Sequence, residues 1–186
     1  MKIGILTFHK SENYGSVLQA YALCKKLISL DSNNQVEIVD YSNEKQRALY
    51  AEFHKMNSAK NIAKNARSLL NISQLTKRSN AFYDFFNLLP LSEEEFNSDE
   101  ELKNHKSSYD LLILGSDQIW NPQSVDFSMA YFGVDFKCKK VAYAPSIRDA
   151  KASDFEPYKD EIKAALSKIK KLSPQGQLTN FFKARD

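Results

Sequence analysis

The chain has 186 residues, of which 42% are hydrophobic and 26% are charged, and its net charge is +3. This length and composition suit one well-cored globular domain and exclude disordered and fibrous classes. Basic side chains are scattered, with acidic clusters at 93–95 and 99–101 between them. No continuous basic stripe therefore indicates a nucleic-acid partner, and no segment reaches the roughly 20 apolar residues of a membrane span.

Cysteine usage bears on the expected compartment. Cys24 and Cys138 are the only cysteines, and the chain opens at Met1 without a signal-peptide pattern. These features favour a reduced, cytoplasmic setting over a disulfide framework. Cys24 falls on the apolar stripe of a predicted helix, where a small core residue is expected.

The first forty residues predict a βαβ unit with a right-handed crossover. Lys2 to Phe8 is an apolar strand, and His9 to Gly15 is the loop that follows it. Ser16 to Leu30 carries apolar residues at helical spacing, and the residues around Gly15 supply a turn and an N-cap. Val36 to Val39 is the second strand of the unit.

The middle of the chain, residues 44 to 108, shows no strand pattern. Its apolar residues recur at helical spacing and predict two helices, ended by Pro90. We therefore expect a helical insertion at about 44–108, followed by a short acidic-headed helix between Ser98 and His105. The lysines and arginines of the insertion form either a basic face or, as we expect, an ordinary solvated helix surface.

The last third predicts two more strands and a helix. Leu111 to Leu114 is an aliphatic run typical of a strand buried on both faces, and Gly115 ends it with a turn. Lys140 to Ala144 is a further strand. A capping-box sequence at Ser153 starts a final helix that extends to Leu172, and we expect 173–186 to be an irregular tail.

Three loops follow the carboxyl ends of predicted strands, at residues 9–15, 115–121 and 144–148. In a parallel sheet these ends meet at one edge, where open α/β sheets bind their ligands. In the first loop, Asn13, Tyr14 and Gly15 precede a helix whose N-terminal N–H groups suit an anion, and Gln19 faces the same way. The alternative is that Asn13 and Gly15 supply only a left-handed turn.

The second loop is the densest polar cluster in the sequence. Ser116, Asp117 and Gln118 offer the hydroxyl, carboxylate and amide groups that hydrogen-bond sugar hydroxyls. The alternative is that the Gly-Ser-Asp sequence serves only as a helix N-cap. Trp120 and Asn121 beside it favour a binding site.

Several chemistries lack their sequence motifs. There is no Gly-x-Ser-x-Gly elbow, and of the three histidines, His9, His54 and His105, only His9 lies in a candidate loop. No spacing of His, Cys and Asp matches a metal-ligand pattern, and we expect no metal. Neither a Walker loop nor a complete Gly-x-Gly-x-x-Gly motif occurs.

Three motifs, in order, resemble the N-terminal half of the polysaccharide pyruvyl transferase family: Asn13-Tyr14-Gly15-Ser16-Val17-Leu18-Gln19, Gly115-Ser116-Asp117-Gln118-Ile119-Trp120-Asn121 and Lys140-Val141-Ala142-Tyr143-Ala144-Pro145-Ser146. The resemblance covers about residues 1–172. It implies a Rossmann-like three-layer α/β/α domain with a mainly parallel sheet, similar to the N-terminal domain of a GT-B-like bilobal transferase. Such enzymes move pyruvate from phosphoenolpyruvate to saccharide hydroxyls as a ketal in exopolysaccharide and cell-envelope biosynthesis.

The resemblance implies roles for individual residues. Asp117 is the candidate that contacts or deprotonates an acceptor hydroxyl. The candidate substrate-binding residues are Asn13, Tyr14, Gly15, Gln19, Gly115, Ser116, Gln118, Trp120, Asn121, Ser146 and Arg148. Arg148 and Lys10 are the nearest cations for the donor, phosphoenolpyruvate, and no separate cofactor is implied.

The chain also departs from the family pattern. Members have a second Rossmann-like domain that carries the donor-binding histidine and arginine. We identify neither this domain nor the expected strand after the last helix in the sequence. We therefore expect a partner lobe or a homo-oligomer, and no activity from the chain alone. The alternatives are a non-catalytic saccharide- or partner-binding module and a fragment of a GT-B-like glycosyltransferase that uses a nucleotide sugar.

Overall fold

A computed structural model describes residues 1–51 and 57–172. His54 and the predicted tail at 173–186 lie outside these ranges. The described residues form one six-stranded, all-parallel sheet in the order β3-β2-β1-β4-β5-β6. The strands are β1 Lys2–Leu6, β2 Gln35–Tyr41, β3 Leu91–Phe96, β4 Leu111–Leu114, β5 Lys139–Ala142 and β6 Ile169–Leu172.

This strand order is that of a Rossmann fold and confirms the predicted α/β class. The helices are α1 Tyr14–Leu30, α2 Glu44–Leu49, α3 Ala59–Leu70, α4 Ile72–Phe86, α5 Asp99–Lys103 and α6 Lys159–Leu166, with 3₁₀ turns at Met129–Phe132 and Ala152–Tyr158. Among the described helices, none is long and apolar enough to cross a bilayer.

The sheet separates two hydrophobic cores because successive strand residues point to opposite faces. Ile113 packs with α1 and α4 on one face, while its neighbours Leu112 and Leu114 pack on the other face with the 3₁₀ turn and α6. Cys24 is fully buried in the first core, as predicted. The central strands thus lie between two layers of helices and turns.

The prediction of no strand between residues 44 and 108 is wrong, because Leu91–Phe96 forms β3. This strand is at the sheet edge, beside β2, and Glu93, Glu94 and Glu95 are exposed along it. Edge strands accept charged side chains, so the apolar alternation that identifies a strand is weak here. The predicted helices before Pro90 are present as α3 and α4, and they belong to the crossover from β2 to β3.

The predicted final helix extends too far. α6 ends at Leu166, and Ile169–Leu172 is the outer strand β6, paired with β5. The expectation that no strand follows the last helix is therefore also wrong. Ile169 and Leu172 lie at a spacing that continues the apolar face of the helix, so the sequence predicted one longer helix. The same two residues also fit a short strand that follows a two-residue turn. The turn before α6 begins at Ala152, where the carboxylate of Asp154 accepts the Lys151 N–H.

Candidate functional site

Hydrogen bonds join the second and third predicted loops to each other and to Thr7, which directly follows β1 and precedes the predicted loop at 9–15. The Thr7 hydroxyl donates to the carbonyl oxygen of Ser116 at 2.6 Å, which connects the loop after β1 to the loop after β4. The Ser146 N–H donates to the carbonyl oxygen of Asp117 at 2.7 Å, which adds the loop after β5. The predicted convergence is confirmed. β1 and β4 flank the point where the strand order reverses, which is the usual ligand crevice of such sheets.

Gly115 permits the close approach of two of these loops. Its φ is +108°, and a Cβ atom placed on it would lie 2.3 Å from the carbonyl oxygen of Tyr143. No side chain fits at that distance, so the position requires glycine. The role of Gly115 in the site is to bring the β4 and β5 loops together.

Asp117 presents the clearest chemical feature of the edge. Its backbone has a φ of 81°, and its Oδ1 accepts the N–H of Gln118 at 2.7 Å. Its Oδ2 is buried and has no hydrogen-bond partner among the described residues. A buried carboxylate oxygen without a partner is costly, so this atom is suited to accept a hydrogen bond from a ligand hydroxyl.

Tyr131 is a buried polar residue of the core whose unpaired hydroxyl the sequence did not reveal. Its ring is fully buried, packs edge-on against Phe8 at 4.9 Å, and carries a hydroxyl with no partner in the described part of the chain. Burial, followed by neighbouring groups that include Asp126 and Asp117, raises the pKa of Tyr131 well above its usual value. The hydroxyl therefore stays protonated and remains a hydrogen-bond donor.

A polar network holds this buried region from the α2 side. The Asn43 side chain donates to the carbonyl oxygen of Asp126 at 2.8 Å, and the Gln46 amide lies 3.4 Å from its carboxylate. The Ser124 hydroxyl also donates to that carboxylate. The Gln46 Oε1 is buried with no described partner, which adds a third unpaired group. Sequence reasoning missed this network because its members come from the loop after β2 and the segment after β4.

Trp120 and Asn121, two of the predicted site residues, are buried in the loop after β4. Trp120 is 1% exposed, its ring stacks on Phe132 with centroids 4.7 Å apart, and its Nε1 donates to the carbonyl oxygen of Tyr131 at 3.1 Å. Asn121 is also buried, and its Oδ1 accepts the Gln123 N–H at 3.0 Å. The indole of Trp120 and the Oδ1 of Asn121 are therefore engaged within the folded loop, and their role as ligand contacts stays a prediction.

The first loop caps a helix. Asn13 has a φ of −126°, and its Oδ1 accepts the Gly15 N–H at 2.9 Å, so the left-handed-turn alternative is wrong. α1 begins at Tyr14, two residues earlier than predicted, which places Gln19 in its second turn. Tyr14 is exposed and packs on Phe82 of α4 with centroids 4.6 Å apart.

The third loop carries the exposed cation of the site. Ser146 is exposed, and its Oγ accepts the Arg148 N–H at 2.9 Å. Arg148 has a φ of 53°, and its Nε lies 3.5 Å from Asp149 at the surface. A solvent-exposed pair of this kind is weak, so the guanidinium is accessible to an anion at the rim.

Lys10 is not available in the same way. Its Nζ lies 2.8 Å from Asp40 and 2.7 Å from Glu95. His9 is fully buried, and its Nε2 lies 3.0 Å from Asp40 Oδ1. Burial alone would raise the pKa of Asp40, but hydrogen bonds from His9 and Lys10, with their charges, hold it below the usual value. These residues form a structural network at the ends of β1, β2 and β3.

One of three comparisons with known proteins finds a match. The family model of the polysaccharide pyruvyl transferases matches residues 13–173, a range that contains all three loops except the start of the first. Comparison with curated proteins and with solved structures finds no match. The matched range covers most of the 186 residues, and the conclusion follows that the chain belongs to the polysaccharide pyruvyl transferase family.

Proposed function

We propose that this domain binds the saccharide acceptor of an enzyme that transfers pyruvate from phosphoenolpyruvate to saccharide hydroxyls as a ketal. The observation that carries the proposal is the unpaired Oδ2 of Asp117 at the ligand edge of the sheet. Family membership supports the reaction class. The free thiols of Cys24 and Cys138 suit a cytoplasmic location, and the pathway would be exopolysaccharide or cell-envelope biosynthesis.

In the proposed reaction, a proton adds to C3 of the enol and makes C2 electrophilic. An acceptor hydroxyl then forms a C–O bond to C2 and gives its proton to the Asp117 carboxylate. Phosphate leaves with the C2–O bonding electrons, and a second hydroxyl of the saccharide closes the ketal and gives its proton to the departing phosphate. The proton taken by Asp117 then balances the one that was added to C3. Asp117 is the base in this scheme because its Oδ2 lacks a partner in the described structure.

Neighbouring groups would orient the acceptor. Ser116 and Gln118 are partly exposed on either side of Asp117 and offer further polar contacts. A saccharide, which carries several adjacent hydroxyls, satisfies such a mixed set of donors and acceptors.

The donor requires cations for its phosphate and carboxylate groups. At the described edge, Lys10 is paired with two carboxylates, whereas Arg148 is accessible at the rim. One accessible arginine is a weak holder for a phosphorylated dianion or trianion. We therefore propose that the domain binds acceptor but does not turn over phosphoenolpyruvate by itself, and that a second lobe or another copy supplies further cations.

Acceptor binding is tested by saturation-transfer NMR on the chain with a panel of methyl glycosides. We expect transfer to at least one glycoside, and an affinity about 10- to 100-fold weaker in Asp117→Asn, because a hydrogen bond to a charged group is lost. Asp160→Asn, on the exposed first turn of α6, is the matched control. Equal binding by wild type and Asp117→Asn would remove Asp117 from the site.

A phosphate-release assay with phosphoenolpyruvate and the glycosides that bind tests whether the domain turns over the donor by itself. We expect no turnover by the chain alone, and sustained release of phosphate would contradict that expectation. A thermal-shift comparison of phosphoenolpyruvate with nucleotide sugars separates the reaction classes. Stabilisation by a nucleotide sugar alone would favour a glycosyltransferase, and glycoside binding with neither donor would favour a non-catalytic module.

A further inference from the structure

α3 is oriented in an unusual way for a surface helix. No residue of α3 is buried, and its large apolar side chains are exposed: Ile62 by 52%, Leu69 by 62% and Leu70 by 87%. The half-buried residues of the helix are instead polar, namely Asn61, Asn65 and Ser68. The helix therefore turns polar side chains toward the protein and apolar side chains outward.

This orientation reverses the usual arrangement, in which the apolar stripe of an amphipathic helix faces the core. Ala59, Ile62, Ala66 and Leu69 are spaced three or four residues apart, so they form one continuous stripe along the helix. The stripe continues at the helix end with Leu70. Scattered apolar side chains on a surface need no explanation, but a continuous stripe marks an interaction surface.

The charge beside this stripe identifies the kind of surface it meets. Lys60, Lys64 and Arg67 occur at i, i+4 and i+7, so they lie on one face, next to the apolar stripe. None of the three forms an ion pair with any described residue. Between residues 57 and 83 the sequence has five basic residues and no Asp or Glu. The occupant must therefore accept apolar side chains and also carry negative charge.

We propose that α3 docks in the plane of an anionic lipid surface. Leu69, Leu70 and Ile62 would enter the boundary between headgroups and acyl chains, while the three cations contact lipid phosphates. Nucleic acid would match the charge but leave the apolar stripe in water. The helix is short and lies along the surface, and this docking is independent of acceptor binding at the sheet edge.

The test is co-sedimentation of the chain with phosphatidylcholine vesicles, with and without phosphatidylglycerol. We expect binding only to the phosphatidylglycerol vesicles, and a decrease as salt is added. The variant Lys60→Gln/Lys64→Gln/Arg67→Gln should bind about 100-fold more weakly, as three cations leave the surface. Leu69→Ser/Leu70→Ser should also lose binding. Both variants should unfold at the wild-type temperature, because α3 buries none of the substituted side chains.

The control variant Lys26→Gln/Lys137→Gln/Lys163→Gln removes the same charge from exposed positions outside α3. It should bind the anionic vesicles within about threefold of wild type. An equal loss of vesicle binding in both triple variants would show that binding depends only on net charge, and it would overturn the proposal. Absence of binding to anionic vesicles would also overturn it. A dimer in sedimentation velocity that Leu69→Ser/Leu70→Ser dissolves would then assign the stripe to a second copy of the chain.

Discussion

The N–H of Ser146 donates to the carbonyl oxygen of Asp117 at 2.7 Å, so the loop after β5 holds the backbone of the central site residue. Asp117 and Pro145 also form an isolated parallel bridge. Asp117 has a φ of 81°, a conformation that a non-glycine residue keeps only where its surroundings impose it. The backbone that carries this carboxylate is therefore held by the loop after β5, independently of the side chain, and this allows stability and binding to be tested separately.

Asp117→Asn should leave the free energy of unfolding within about 1 kcal/mol of wild type. Asn tolerates a positive φ as well as Asp does, and its side-chain oxygen can still accept the Gln118 N–H. The measurement is urea denaturation, performed on the protein used for glycoside binding. A large loss of stability would mean that the carboxylate supports the fold, and weaker glycoside binding would then say nothing about the site.

Gly115→Ala should lower the free energy of unfolding by about 3 kcal/mol or more. Its Cβ would meet the Tyr143 carbonyl oxygen at 2.3 Å, in a backbone conformation that alanine rarely adopts. Urea denaturation followed by circular dichroism measures the change. Gly15→Ala is the control, since Gly15 lies in the first turn of α1 and its φ is not positive. Similar values for both variants would contradict the loop packing described for Gly115.

Tyr131→Phe should keep or raise the stability of the ligand-free protein, by up to about 1 kcal/mol. Its hydroxyl is buried with no partner among the described residues, and removing an unpaired polar group releases its desolvation cost. Thermal unfolding measures the change, with Tyr41→Phe as the contrast, because the Tyr41 hydroxyl donates to Asp99. A marked loss in Tyr131→Phe would show that the hydroxyl has a partner in the folded protein.

The His9–Asp40–Lys10 network predicts a dependence of stability on pH. The pKa of Asp40 is lowered in the folded state, so its carboxylate stabilises the fold above the unfolded value of about 3.9. This contribution is lost as the pH falls through the folded pKa. Asp40→Asn should be about 2 to 4 kcal/mol less stable at neutral pH, because it breaks a largely buried pair. Its stability should then fall less than that of wild type below about pH 4.

Lys10 predicts a second dependence of stability on pH, at the alkaline end. Burial lowers its pKa, but hydrogen bonds with Asp40 and Glu95 outweigh burial and raise the pKa above 10.5. The stabilisation is present below the unfolded pKa and is lost as the pH rises through the folded pKa. Lys10→Gln should therefore flatten the alkaline decline in the free energy of unfolding. An alkaline decline as steep as in wild type would show that Lys10 does not titrate within this network.

Asn13→Ala should cost about 1 kcal/mol, through loss of the N-cap of α1. Asn13→Ser keeps a capping oxygen and should recover most of the loss. The two variants, compared by thermal unfolding and by glycoside NMR, separate capping from ligand contact. If the serine variant restores stability and not binding, Asn13 also contacts the ligand.

Short-range patterns in the sequence determined much of the fold. The βαβ unit, the buried strand Leu111–Leu114 and the helices before Pro90 follow from apolar spacing, because periodicity reports which face of an element is buried. The same logic located the three loops at strand carboxyl ends. The sequence did not predict β3 and β6, which are edge strands, one of them acidic and the other four residues long. Such strands are identified mainly by the partner strand that hydrogen-bonds to them.

Tertiary structure decided which polar residues remain available for chemistry. Trp120 and Asn121 look like ligand contacts in sequence, yet the Trp120 Nε1 donates to Tyr131 and the Asn121 Oδ1 accepts from Gln123 within the folded loop. Lys10 is neutralised by carboxylates from two other strands, 30 and 85 residues away along the chain. The composition of a loop can be read from its sequence, whereas the pairing of its side chains depends on groups that only the folded sheet brings within hydrogen-bond distance.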